Sequence, residues 1–141
     1  MITDMPAAWM IAGIASVVGG AMGLLSLIMP RWGASVVRLA PDPRWKGGWA
    51  EFRASYGGAI LFAHIAVLMT LAMSAQAGAG SVIGASFAVS LYWIGMAIGR
   101  IVSMIVDHKE RETITQYNLI GTGFEAVMGL SLAAPFLAHL S

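Results

Sequence analysis

The sequence lacks cysteine and has little charge. Among the 141 residues there is no cysteine, which excludes disulfides, thiolate catalysis, Cys-type zinc sites and iron–sulfur clusters. Charged residues make up 11% of the chain, whereas soluble domains carry about 25%. A surface that faces water needs more charge than this, so the composition predicts that lipid surrounds most of the protein.

Long apolar runs account for most of the chain. Four of them, at residues 7–29, 49–73, 81–106 and 116–140, reach the roughly 20 residues that a membrane-spanning helix requires. Each must be a helix, because unpaired backbone is not tolerated in lipid. The segment before the first run has no Lys or Arg, which favours a retained helix over a cleaved signal peptide. We therefore expect an all-α, single-domain bundle of four transmembrane helices.

The positions of the basic residues predict the orientation. The N-terminus, the loop at residues 74–80 and the C-terminus contain no Lys or Arg. All eight lie in or beside the first and third loops: Arg31, Arg38, Arg44, Lys46, Arg53, Arg100, Lys109 and Arg111. The positive-inside rule makes those loops cytoplasmic and both chain ends periplasmic.

The first loop is too long for a simple turn. Its first part combines apolar and basic residues, which predicts a short helix lying at the lipid headgroups between the first two transmembrane helices. Pro41 and Pro43 then break that helix, and Gly47 permits a sharp entry into the next one. The side chains expected at the headgroups are Arg31, Trp32, Arg38, Arg44, Trp45, Lys46 and Trp49. They serve either as a general membrane anchor or as a site for an anionic lipid.

Stripes of small residues predict where helices pack closely, since lipid provides no hydrophobic drive for helix pairing. The stripes do not say whether the partner is in the same chain or in another copy. They comprise Ala12, Ser16, Gly19, Gly20 and Gly23 in the first helix, Gly95, Gly99 and Ser103 in the third, and Gly121, Glu125, Gly129 and Ala133 in the fourth.

Two charged residues lie deep within the predicted membrane spans, and His64 lies near the middle of the second span. Glu125 and Arg100 lie at a similar depth from the cytoplasmic face, at about 1.5 Å of helix per residue. A charge in hydrocarbon is costly and marks a functional site by default. We expect an Arg100–Glu125 ion pair, which either only locks the third and fourth helices together or belongs to a ligand or proton site.

The second helix begins with a dense polar motif. Arg53 and Tyr56 share one face of an α-helix with His64, and if that face turns inward the first two meet the level of the predicted ion pair. Glu51, on the opposite face, then caps the helix or pairs with a basic residue of the first loop. The remaining candidates for this polar cluster are Gly58, which together with Gly57 lets a neighbouring helix or a ligand come close, and Asp107, which extends the network to the surface.

The motif Glu51-x-Arg53-x-x-Tyr56-Gly57-Gly58, followed by Gly99-Arg100, Asp107 and an acid in the fourth helix, resembles a bacterial membrane family. It is the domain-of-unknown-function family 4345, which has small four-helix inner-membrane members. The resemblance covers nearly the whole chain and implies that six residues form the family's characteristic polar cluster: Glu51, Arg53, Tyr56, Gly58, Arg100 and Glu125.

Three functions are compatible with these features. The first is a non-enzymatic accessory or scaffold subunit, or an assembly factor, of a complex in the bacterial inner membrane. The second is a binder or carrier of a small molecule or lipid that uses a cytoplasm-side Arg/Glu/Tyr cavity. The third is a small isomerase-type enzyme with Glu125 and His64 as proton-transfer groups.

The expected partners are membrane lipids and other membrane subunits or a second copy, with no nucleic acid. No cofactor or metal is predicted. His64 is expected to be a hydrogen-bonded core residue, because a b-type haem needs two axial groups and His108 and His139 lie in loops or termini.

Overall fold

A computed structural model describes residues 5–141, and within that range the chain consists of helices and loops without strands. Four helices are long and apolar enough to cross a membrane, and three short helices connect them. In chain order the helices are α1 (Ala7–Ile28), α2 (Pro30–Val37), α3 (Gly48–Ala72), α4 (Ser74–Ala77), α5 (Ala79–Val106), α6 (His108–Arg111) and α7 (Gln116–Leu140). The first residues of the predicted periplasmic N-terminus, 1–4, lie outside the described residues.

The long helices begin and end within two residues of the bounds expected from the sequence. Local signals set several of these ends. Pro30 occupies the first turn of α2, where its missing N–H is no loss. The Thr115 hydroxyl accepts a hydrogen bond from the Asn118 backbone N–H, 3.1 Å away, and so caps the start of α7. The predicted short helix in the first loop is confirmed as α2.

The four long helices form a ring in the order α3–α1–α7–α5. The most extensive contacts join α1 to α3 and α5 to α7, and the least extensive contact joins α3 to α5 and closes the ring. Buried apolar side chains from all four helices meet in the centre, among them Ala15, Val67, Trp93 and Leu132. The less extensive contact between α3 and α5 leaves room between these two helices.

Helices α1 and α3 touch through their backbones. A Cβ atom built on Gly23 would lie 2.9 Å from the Leu61 Cα atom, and one built on Gly57 would lie 2.7 Å from the Leu27 Cα atom. The small-residue stripe of α1 is thus buried against α3, as the sequence predicts. Glycine is required at this crossing because a side chain would collide with main-chain atoms.

The small-residue stripe of α5 behaves differently. Gly95 and Gly99 are exposed, and a Cβ atom built on either would meet no other atom within 4 Å. Gly95 and Gly99 therefore make no close contact within the chain, and packing of this stripe against another copy or subunit stays a prediction. Helix α5 instead packs on α7 through another face, where the Ser90 hydroxyl donates a 2.7 Å hydrogen bond to the Gly129 carbonyl oxygen.

Candidate functional site

The predicted Arg100–Glu125 ion pair is confirmed. The Arg100 Nε atom lies 2.7 Å from Glu125 Oε1, and the pair joins α5 to α7. The Glu125 side chain is only 7% exposed, whereas that of Arg100 is 26% exposed. Glu125 Oε2 is buried without a hydrogen-bond partner among the described residues. The carboxylate therefore depends on the guanidinium for its stabilisation.

The start of α7 holds the guanidinium in place. Arg100 Nη1 donates to Asn118 Oδ1 at 3.2 Å, and Asn118 Nδ2 donates to the Thr113 carbonyl oxygen at 2.7 Å. The guanidinium lies over Gly121, where a Cβ atom would be 3.2 Å from Arg100 Cζ. The sequence interpretation did not include Asn118, although an amide one turn into a capped helix is a recognisable signal.

Tyr117 links this pair to the first loop. The Arg38 Cζ atom is 3.8 Å from the centroid of the Tyr117 ring, and Arg100 Cζ is 5.8 Å from it, both within cation–π range. Arg38 ends α2 with a left-handed backbone (φ 54°). The two basic loops thus meet at one end of the bundle. The positive-inside rule had predicted that they lie on the same side, but not the contact through Tyr117.

The other members of the predicted polar cluster do not join the ion pair. Within residues 5–141, no hydrogen bond connects Arg53, Tyr56 or Asp107 to Arg100 or Glu125. Arg53 donates to the Leu27 carbonyl oxygen of α1. Asp107 accepts a 2.8 Å hydrogen bond from Ser103 on its own helix.

A π-helical turn explains why Arg53 departs from the predicted face. Residues Arg53–Gly58 form i→i+5 hydrogen bonds within α3. A π turn holds about one extra residue, which rotates everything before it by roughly 100° relative to a regular α-helix. Gly57, Ile60 and His64 are buried as expected, whereas Arg53 is exposed and Gly58 is only partly buried. Of the two glycines expected to permit close approach, Gly57 does so against α1, and Gly58 does not.

His64 is a fully buried core residue with both ring nitrogens engaged. Nδ1 lies 2.7 Å from the Ile60 carbonyl oxygen, which can only accept, so Nδ1 carries the proton. Nε2 accepts a 3.0 Å hydrogen bond from Trp93 Nε1 of α5. A Cβ atom on Gly19 would overlap the imidazole ring. The structure thus supports the core interpretation of His64 and gives it no contact with Glu125.

An open cleft of about 690 Å³ lies between α3, α5 and the first loop. Seven helical residues and the loop that contains Asp42 and Trp45 line it. The helical residues are Gly48, Glu51, Phe52, Ser55, Tyr56, Tyr92 and Met96. Two predicted cluster residues, Glu51 and Tyr56, therefore line the cleft, while Arg100 and Glu125 do not. The contribution of Tyr92 and Met96 was missed, although a tyrosine in the middle of an apolar segment is an available signal.

The acids of the cleft differ in their partners. Arg44 donates to Asp42 through its side chain, at 2.6 to 3.0 Å, and through its backbone N–H. The Arg44 side-chain hydrogen bonds hold the pKa of the Asp42 carboxyl below its usual range, so this acid is charged at neutral pH. Glu51 accepts a 2.7 Å hydrogen bond from Ser55 Oγ and forms no ion pair with another described residue.

The predicted headgroup residues lie in the first loop and at the adjoining start of α3. Helix α2 contains Arg31 and Trp32, and Arg38 lies at its end. Trp45 is 74% exposed, and Trp49 is 41% exposed. Arg31, Ser35, Arg38 and Trp49 line a smaller cavity of about 360 Å³ beside α2. Lys46 is exposed, and Arg44 pairs with Asp42. Whether lipid contacts these side chains remains a prediction.

The fold and site define an all-helical chain with four helices long and apolar enough for a multi-pass membrane protein. Within the described residues, no group of three His, Asp or Glu side chains is placed to hold a metal ion. No protein-family model, curated protein or solved structure matches the chain. The likeness to domain-of-unknown-function family 4345 therefore rests on its motif residues alone.

Proposed function

We propose that this chain is a non-enzymatic protein of the bacterial inner membrane that binds an amphipathic small molecule or lipid in the cleft between α3 and α5. The observation that carries this proposal is the cleft itself. Its volume of about 690 Å³ falls within the range of small-molecule sites, roughly 300–1,000 Å³. Its lining combines apolar surface from Phe52 and Met96 with hydroxyl groups from Ser55, Tyr56 and Tyr92.

The ion pair has a supporting role in this proposal. Arg100 and Glu125 join α5 to α7, and Arg38 contacts Tyr117 at the start of α7. Both contacts are made to α7. They therefore hold α5, which carries Tyr92, and the first loop, which covers the cleft, against the same helix. The pair thus keeps the cleft in shape without touching its contents.

We test the cleft with a substitution that fills it. Met96→Trp places a large side chain into the space, whereas Met69→Trp makes the same change at an exposed position of α3 outside the cleft. In native mass spectrometry of protein purified in mild detergent, we expect bound lipid or small molecule on the wild type and on Met69→Trp. Met96→Trp is expected to lose it. Equal retention by both variants would contradict the proposal.

The proposed topology places both chain ends in the periplasm. All eight Lys and Arg residues belong to the end of the bundle at which Arg38 meets Tyr117, and the positive-inside rule places that end in the cytoplasm. We expect a membrane-impermeant thiol reagent, applied from the periplasm, to label cysteines introduced at Ala77 and Ser141. Cysteines at Ala40 and Thr113 should be protected. Labelling of Ala40 together with protection of Ala77 would invert the topology.

A second candidate function is that of an accessory subunit or scaffold. The open glycine face of α5, which includes Gly84, Gly95 and Gly99, favours it because such faces allow another helix to approach closely. Purification in mild detergent distinguishes the two functions. A stoichiometric membrane-protein partner that is lost after Gly95→Leu, while the cleft ligand is retained, would identify a subunit.

A further inference from the structure

The cleft has a charge opposite to that of the surface around it. All eight Lys and Arg residues belong to this end of the bundle, yet none of them lines the cleft. Its two charged lining residues are both acids, Asp42 and Glu51. A site for an anionic headgroup would show the reverse arrangement, as the smaller cavity with Arg31 and Arg38 does.

Glu51 is the acid that is available to a ligand. Asp42 already accepts several hydrogen bonds from Arg44. Glu51 accepts one side-chain hydrogen bond, from Ser55, and its side chain is exposed at the cleft wall. A carboxylate with spare acceptor capacity binds cationic donors through charge-assisted hydrogen bonds.

Aromatic side chains line the same cleft as this carboxylate. Phe52 and Tyr56 stack with ring centroids 4.8 Å apart, and they line the same cleft as Tyr92 and Trp45. Tyr92 is 44% exposed and Trp45 is 74% exposed, so both rings are accessible. Aromatic faces attract cations, and ammonium ligands in particular are bound by several rings beside an acid.

We infer that the cleft binds an ammonium group carried on an apolar body, with the nitrogen between the Glu51 carboxylate and the aromatic rings. The apolar part of the ligand then contacts Leu39 and Met96. This inference rests on the proposed function, since it names the class of ligand for the same cleft. The shared chemistry fits both an ammonium-headed lipid and a free lipophilic amine.

Calorimetric titration of the full chain in a neutral maltoside detergent tests the inference. The probes are phenylhexyl-trimethylammonium and its neutral isostere, in which a tert-butyl group replaces the trimethylammonium group. We expect saturable binding of the cation at least about tenfold tighter than that of the isostere. Glu51→Gln should weaken binding of the cation about tenfold and leave the isostere unchanged.

Glu110→Gln is the matched control, because it removes the same charge from an exposed position on α6 outside the cleft. It should leave both affinities unchanged. Tyr92→Leu provides a second test that does not alter the Glu51–Ser55 hydrogen bond, and it should weaken binding of the cation about fivefold. Thermal unfolding in the same detergent verifies that each variant is folded.

Competition identifies the source of the ammonium group. Displacement of the probe by phosphatidylethanolamine but not by phosphatidylglycerol supports a lipid ligand, and displacement by neither supports a free amine. Equal displacement by both lipids overturns the inference.

If cation and isostere bind equally and Met96→Trp abolishes binding of both, the ammonium inference is wrong while the proposed function stands. If neither probe binds and no ligand co-purifies, both are wrong.

Discussion

Arg100→Met is expected to destabilise the protein by about 3–5 kcal/mol, the usual cost of leaving one member of a buried ion pair without its partner. The loss falls on Glu125, whose side chain is only 7% exposed and whose Oε2 has no hydrogen-bond partner among residues 5–141. Glu125→Gln should cost less, about 1–3 kcal/mol. In that variant Arg100 keeps its hydrogen bond to Asn118 and its partial exposure.

The double variant distinguishes a paired charge from two independent ones. Arg100→Met combined with Glu125→Gln should be more stable than Arg100→Met alone, because no buried charge is then left uncompensated. Chemical unfolding in mild detergent, followed by tryptophan fluorescence, measures all three. Arg44→Met is the matched control, since Arg44 pairs with Asp42 at the exposed surface, and this variant should show no measurable loss of stability. Additive losses at Arg100 and Glu125 would contradict the pairing.

The double variant also separates a structural pair from a functional one. If it is stable and retains the cleft ligand, the pair only locks α5 to α7. If it is stable but no longer retains the ligand, the pair contributes to the site although neither residue lines the cleft. The first outcome is the one that we expect, because neither Arg100 nor Glu125 lines the cleft.

Gly23→Ala is expected to destabilise the protein by about 3 kcal/mol, at the upper end of the usual cost of overpacking. The added methyl group would lie 2.9 Å from the Leu61 Cα atom and 3.1 Å from the Gly57 carbonyl oxygen. Main-chain atoms of a packed helix cannot move aside as a flexible side chain can. The helices α1 and α3 must therefore separate, which also weakens the hydrogen bond from Arg53 to the Leu27 carbonyl oxygen.

Two other glycines provide controls for this prediction. Gly20→Ala, on the same face of α1, places its methyl group 3.6 Å from the His64 Cβ atom, an ordinary contact. Gly95→Ala on α5 meets no atom within 4 Å. The midpoint of unfolding of both variants should lie at the same denaturant concentration as that of the wild type or slightly above it, because alanine favours helix over glycine by up to about 1 kcal/mol. Equal losses at all three positions would show that the helix crossing is not as close as described.

Several features of the fold follow from local sequence. The helix ends were predictable because lipid requires long apolar runs and because Pro30, Thr115 and the turn residues mark the ends. The Arg100–Glu125 pair was predictable because two charges at similar depth in neighbouring helices have few other partners. The inward face of His64 followed from helical periodicity, since the π turn ends at Gly58 and the segment from Ala59 to His64 is a regular α-helix.

Features that depend on several segments at once were not predictable. The π turn at Arg53–Gly58 carries no pattern that separates it from a regular helix, yet it moved Arg53 away from the predicted cluster. The glycine stripe of α5 has the same spacing as a buried one, and only the positions of the other helices leave it open. Tyr92 and Glu51 belong to one cleft because α3 and α5 diverge beneath the first loop.

The sequence by itself determined the helices, the end of the bundle that carries the basic residues and the ion pair, because each follows from charge and hydrophobicity along single segments. The tertiary structure alone decided which helix faces meet, where α3 departs from regular geometry and where space remains between helices. These depend on contacts between residues far apart in the chain, such as Ser90 with Gly129 and His64 with Trp93. The cleft arises where such contacts are missing, and no pattern along one segment predicts where that happens.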